Sequence, residues 1–307
     1  MFSFSSCWNS QRHTDGRAML AEIRSLGFEY AELGHGTHVC LLDGIQRAVA
    51  AHEIKISSLH NFCPLPPGVR GPSPDRYLPS SPSERERAQA AKHTLRTIDC
   101  AASLDAKTVV LHLGRVQMRH YTPSLLRRYA GHGRQDPKFQ RLLETACDVR
   151  ARKRQPYLDQ VFRTLEAIVP YARRMGVRLG MESRLEIEEI PSDDETHEML
   201  RRFGDDVLGY WHDVGHAQVK ENLGITSHEA LLGRFRGRTI GMHLQDFAPP
   251  VFDHQPPGLG TFDFSRLARF ASDEMILAWE IHPSATKEQI VNPVKRTQER
   301  LLGTVSA

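Results

Sequence analysis

The chain has 307 residues, of which 40% are hydrophobic and 25% charged, with a formal net charge of +3. That length holds one large domain with a sizeable core or two ordinary ones, and so small a net charge gives no reason to expect nucleic acid or a membrane surface as partner. The five cysteines, Cys7, Cys40, Cys63, Cys100 and Cys147, are widely spaced and form no CxxC pair, which argues against a disulfide framework or a structural zinc site and makes a reducing cytoplasm the simplest expected location.

The N-terminal "FSFSSCW" alternates aromatic and polar residues and predicts a strand. No basic segment followed by a long apolar run precedes it, so no signal peptide is expected, and no run approaches the roughly 20 apolar residues of a membrane span. "GRAMLAEIRSLG" has helical spacing and stops at a glycine. "FEYAELG" and "IKISSLH" predict the second and third strands, separated by a helix in "LLDGIQRAVAAHE". The Pro-rich "CPLPPGVRGPSPDRYLPSSPS" lacks core-forming content and reads as a long loop over one mouth of the fold. A helix runs through "SERERAQAAKHTLRTIDCAASLDA", and "TVVLHLG" is the fourth strand. The basic "RVQMRHYTPSLLRRYAGHGRQDP" reads as irregular, followed by one long helical pattern from about Lys138 to Met175. Strands in "VRLGMES", "VLGYWHDVG", "TIGMHLQDF" and "MILAWEIHP" then alternate with helices in "DETHEMLRRFG", "SHEALLGRF" and "FDFSRLARFAS", and "TKEQIVNPVKRTQERLL" closes the chain.

Eight strand-then-helix units predict an all-parallel sheet. In a chain of this length they predict a closed (β/α)8 TIM barrel occupying residues 1–307 as a single α/β domain. An open doubly wound sheet is the alternative, but the Gly-rich fingerprint usual after its first strand is missing. Active sites of such barrels lie at the C-terminal ends of the strands, so the polar residues there are informative. They are His60 on strand three, His112 on strand four, Glu182 on strand five, Asp213 with His216 just beyond it on strand six, His243 on strand seven and Glu280 on strand eight. Glu182 to Asp213 is 31 residues, Asp213 to His243 is 30 and His243 to Glu280 is 37, close to the barrel repeat of roughly 31. A single strand-end histidine is ordinarily a hydrogen-bonded rim residue. Four ionisable groups in phase on consecutive strands need a common reason, because burying them together without a partner is costly. A divalent cation supplies that partner, and two glutamates, one aspartate and one imidazole suit Mn²⁺, Zn²⁺, Co²⁺ or Mg²⁺. His212 alternates away from Asp213 on a strand and is read as structural, as are His228 and His282.

In "GMES", "HDVGH", "GMHLQD" and "WEIHP", taken in that order, the sequence resembles the xylose isomerase-like TIM-barrel superfamily of sugar phosphate isomerases and epimerases. That group includes ketose 3-epimerases, inosose isomerases and dehydratases, and the endonuclease IV type. The resemblance spans the whole chain. It implies one divalent metal held by Glu182, Asp213, His243 and Glu280, with Glu182 and Glu280 also moving protons and His216 contacting substrate oxygens. An Arg often found a few residues after the strand-seven His is missing from "HLQDFAPP", and Arg184 is the candidate to replace it as a substrate contact. His60, His112 and His254 are further substrate-binding candidates.

The implied activity is metal-dependent isomerisation or epimerisation of a sugar, keto-sugar or inosose. The metal acts as a Lewis acid on an enediolate, and two carboxylates exchange the proton next to the carbonyl. The same residues also suit a dehydratase. The endonuclease IV branch is the rival: it binds three zinc ions with added histidines, and here His60, His112 and His254, which precedes a Gly-x-Gly, match part of that set. Its Asp-x-His is replaced by adjacent Asp253 and His254, and a DNA binder needs a basic face. A small-molecule sugar is therefore the expected partner, without nucleic acid or membrane, and the resemblance allows a homo-oligomer.

Overall fold

The computed structural model describes residues 1–69 and 71–303, so Arg70 in the Pro-rich loop lies outside the described residues. The strands are β1 (Phe2–Ser5), β2 (Tyr30–Leu33), β3 (Lys55–His60), β4 (Thr108–Leu111), β5 (Arg178–Glu182), β6 (Leu208–Asp213) and β7 (Thr239–Leu244). A hairpin of β8 (Asp246–Ala248) and β9 (Phe252–Gln255) follows, and then β10 (Ile276–Trp279). Eight of these close a barrel in the order β1-β2-β3-β4-β5-β6-β7-β10, and the paired strands run parallel. The predicted (β/α)8 barrel is the observed fold. The antiparallel β8–β9 hairpin is an addition, standing on the loop after the seventh barrel strand.

The helices are α1 (Gly16–Ser25), α2 (Leu42–Ala50), α3 (Glu84–Ser103), α4 (Thr122–His132), α5 (Pro137–Lys153), α6 (Gln155–Met175), α7 (Asp193–Phe203), α8 (Val214–Leu223), α9 (His228–Arg234), α10 (Ser265–Ala268) and α11 (Lys287–Gly303). Among the described residues no helix is long and apolar enough to cross a membrane.

Two sequence expectations need correction. The basic stretch after the fourth strand contains helix α4, which begins with Pro123 in its first turn and buries Leu125; the arginines around Leu125 mask its short apolar stripe. The single long pattern from Lys138 to Met175 is two helices that meet at Arg154. Pro156 sits in the first turn of α6, where its missing N–H costs nothing, but the same residue could not continue α5.

Packing fills two zones. Apolar residues between strands and helices form the large outer core, including Leu33, Leu59, Leu111, Leu179 and Leu244. A second cluster, Val110, Trp211, Ile240, Ile276 and Ala278, forms separately from that core. Trp211 is fully buried and its ring centroid lies 5.1 Å from that of His243. Its indole occupies space that only a glycine leaves: a Cβ on Gly241 would stand 2.2 Å from the ring. Gly241→Ala is therefore expected to destabilise the barrel by about 1–3 kcal/mol or more, measured by denaturant unfolding. Gly233→Ala, in helix α9 with open space around it, is the matched control and should not destabilise the protein. Equal stabilities for the two variants would refute this account of the packing around Trp211.

Candidate active site

Strand β6 enters the site through a sharp change of structure. Asp213 is its last residue and also the N-cap of α8, where its side chain accepts the His216 backbone N–H at 2.6 Å. The helix therefore starts at Val214, directly at the strand end. Val214 and Gly215 form the first turn of this helix, which the sequence pattern does not predict, and His216 follows within the same turn. Its Nδ1 lies 2.9 Å from the Ser183 carbonyl and 3.6 Å from Glu182 and Asp213 carboxylate oxygens. A Cβ on Gly215 would stand 2.6 Å from Asp253 Cβ, so glycine lets the β8–β9 hairpin close against this turn.

The four in-phase residues converge. One ligand atom from each of Glu182, Asp213, His243 and Glu280 lies within 4.8 Å of every other, and all four residues are buried. His243 Nδ1 is the meeting point, 3.1 Å from Glu182 Oε1, 3.2 Å from Glu280 Oε2 and 3.6 Å from Asp213 Oδ2. Burial would raise the Glu182 carboxyl, yet His112 and His243 hold it well below the usual carboxylate range. Burial likewise opposes ionisation of Glu280, and His243 and His254 outweigh it. Burial pushes the His243 imidazole down, but Glu280, Glu32 and Glu182 push it well above its ordinary value. Three buried carboxylates meeting at one imidazole nitrogen are a donor set suited to a divalent cation, so the residues fit the metal that the resemblance implies.

The other sequence candidates ring this centre. His60 Nε2 and His112 Nε2 approach the same Glu182 oxygen, at 3.1 and 2.7 Å. His112 is held up at about 9: burial and Arg184 oppose its charge, but Asp75 and Glu182 prevail. Arg184 is buried in the loop beyond β5. It bonds Glu189 at 2.5 Å, touches His112 and lies 3.7 Å from Glu182 Oε2. His254 comes from β9, with Nδ1 3.0 Å from Asp253 and Nε2 3.6 Å from Glu280.

A sequence profile for the xylose isomerase-like TIM barrel matches residues 20–292. The chain belongs to that family. No curated protein matches its sequence. Among solved structures, a D-tagatose 3-epimerase-like protein is similar at 18% identity and a TM-score of 0.66, covering 99% of this chain and 97% of its own. The 3-keto-D-glucoside 4-epimerase YcjR from E. coli is 13% identical with a TM-score of 0.63, covering 100% and 99%. A D-allulose 3-epimerase from Methylomonas sp., solved with D-allulose, is 11% identical with a TM-score of 0.65, covering 97% and 96%. At these identities the likeness shows the shared barrel.

Within this xylose isomerase-like barrel, four side chains at the site escaped the sequence reading. Glu32 on β2 is fully buried beside His243. His35, just after β2, packs its ring 5.3 Å from His60, and its buried Nδ1 has no hydrogen-bond partner among the described residues. Burial and His60 lower it to about 3, so it faces the site neutral. Asp75, from the Pro-rich loop, reaches His112 Nδ1 at 3.2 Å. Gln245 donates its amide to both Asp213 oxygens at 2.9 and 2.8 Å and accepts the His254 N–H at 2.8 Å. Asp246, next to it, ties off the following loop by accepting the amides of Phe247, Gly258, Gly260 and Phe262 at 2.7, 2.7, 3.0 and 2.9 Å.

The histidines expected to be structural stand outside the groups of ligand candidates found among the described residues. His212 is fully buried between the Tyr210 hydroxyl, 2.9 Å from its Nδ1, and His228, 3.0 Å from its Nε2. His282 bonds Ser284 on the surface. Burial lowers His228 to about 4 despite nearby Glu221. An unfolded chain binds that proton near 6.5, so the unfolded state carries more protons between the two values, and stability falls as pH drops from about 6.5 to about 4. The slope of unfolding midpoint against pH across this window should be smaller for His228→Gln than for the parent. Parallel slopes would overturn the assignment.

Proposed function

We propose that this barrel is a divalent-metal-dependent epimerase or isomerase of a keto-sugar or inosose. The observation that carries the reading is the placement of Glu182 and Glu280 at the same imidazole nitrogen, from strands β5 and β10. Such an arrangement sets two carboxylates around one small site. Glu182, Asp213, His243 and Glu280 would hold the metal, which would supply Lewis-acid stabilisation of negative charge on the substrate oxygen. Glu182 takes the proton from the adjacent carbon, and the C–H electron pair moves into the carbonyl to give an enediolate. Glu280 returns a proton to the opposite face of the same carbon for epimerisation; for isomerisation the proton goes to the neighbouring carbon, and the hydroxyl proton passes to the former carbonyl oxygen. His254, charged and 3.6 Å from Glu280, is the nearby proton source. His216, His60, His112 and Arg184 hold substrate oxygens, and His112 and His243 keep Glu182 ionised.

The test is incubation of the full chain and Mn²⁺ with a panel of ketopentoses, ketohexoses and inososes in deuterated water. Deuterium entering at the carbon next to the carbonyl is expected; its absence across the panel would overturn the reading. The nuclease reading has one favourable observation, a second group of His60, Glu182 and His243 within 4.8 Å. Against it, the Arg184 guanidinium already supplies positive charge beside Glu182 and His112. Metal content separates the two: one ion per chain supports the sugar enzyme, and three with cleavage of abasic DNA support the nuclease.

A further inference from the structure

Glu32 takes no part in the reaction just described, yet it is a carboxylate with no exposed surface inside the barrel. It lies on β2, paired in register with Ser5 of β1 and Ser58 of β3, and reaches across the interior to β7. Its two oxygens lie 3.2 and 3.3 Å from His243 Nε2. One oxygen also accepts the Ser58 hydroxyl at 2.8 Å, and Ser58 continues a chain of hydroxyls through Ser57, at 3.2 Å, to Ser3, at 2.7 Å. Hydroxyls from β1 and β3 thus hold Glu32 in place from behind.

The two nitrogens of the His243 ring consequently face different carboxylates. Nδ1 looks into the cluster of Glu182, Asp213 and Glu280, and Nε2 looks at Glu32. Glu32 itself belongs to neither buried group whose ligand atoms lie within 4.8 Å of one another, so it is not placed as a ligand. The other ring contacts of His243, stacking on His60 at 5.6 Å and the edge of Trp211 at 5.1 Å, fix the plane of the imidazole but are indifferent to which nitrogen carries a proton. A carboxylate at Nε2 is not indifferent: it accepts an N–H there and leaves the Nδ1 lone pair free.

We propose that Glu32 is a positioning residue acting through His243. It selects the Nε2–H tautomer and raises the basicity of Nδ1, so that the ring is poised as a donor toward a divalent cation. This rests on the metal-dependent reading above, and on the general finding that partners behind a ligating histidine tune its affinity.

The experiment measures divalent-cation affinity of the full chain by equilibrium dialysis with Zn²⁺ or Mn²⁺, and the protonation of His243 by ¹⁵N NMR of the Zn²⁺-loaded protein. Glu32→Gln keeps the size of the side chain but offers an amide that favours neither tautomer. It should weaken affinity about 10- to 100-fold, while the parent shows a protonated Nε2. Equal affinity in parent and Glu32→Gln would overturn the proposal with the metal reading intact. A parent that binds no divalent cation would overturn the metal reading and this one with it. Should Glu32→Gln fail to fold, the parent spectrum still decides, since an unprotonated Nε2 in the loaded form overturns the proposal.

Discussion

Glu182→Gln should lower metal-dependent deuterium exchange into a keto-sugar by about 10³-fold or more while leaving the protein folded. General acid–base catalysis by one positioned group is typically worth 10²–10⁴, and this residue is also a proposed metal ligand. The amide is nearly isosteric, so the loss would come from chemistry rather than packing. The environment of Glu182 sharpens the expectation: His60, His112 and His243 all bond its oxygens, and Arg184 lies 3.7 Å away. Such a carboxylate is held ionised, the form a general base requires. Glu280→Gln should lose conversion by a similar factor, because the second proton transfer fails. If Glu182→Gln exchanged deuterium at the parental rate, the assignment of proton abstraction to this residue would be wrong.

Removing the metal should have the second large effect. Dialysis against a chelator is expected to bring turnover to background, with recovery on adding back about one equivalent of a suitable divalent ion. The same treatment should lower thermal stability, because Glu182, Asp213 and Glu280 then share a buried site with the neighbouring imidazoles and Arg184 as their counter-charge. Ligand linkage sets the scale, about 2.7 kcal/mol at an ion concentration one hundred times Kd. Full activity after exhaustive chelation, with metal content verified as nil, would sink the metal-dependent reading.

The barrel and its four central ligand candidates were legible in the sequence because each rests on periodicity. Strand-end polar groups recur once per unit, so Glu182, Asp213, His243 and Glu280 could be aligned without knowing how the helices pack. Glu32 escaped because it sits inside "FEYAELG" as one carboxylate in a short strand, and nothing local reveals that it meets His243, 211 positions later. Asp75 and Gln245 escaped for a related reason: each acts through loop geometry that hydrophobic patterning does not encode. His35 could have been flagged, since "GHGTH" follows a predicted strand at the mouth. The missed break at Arg154 was readable from Pro156, which marks the first turn of a helix as readily as it ends one.

Asp246 has a consequence for how such a protein changes over time. One buried carboxylate cinches the chain on both sides of the loop that carries His254, gripping Phe247 at one end and Gly258, Gly260 and Phe262 at the other. The stretch between Ala248 and Gly258 is thus a bight with a knotted neck. Lengthening its tip, between the ends of β8 and β9, costs mainly closure entropy, about 0.6 kcal/mol for each doubling, and leaves His254 and the strands that carry the four ligand candidates in place. The shape of the mouth can change at that tip while the groups beneath stay put.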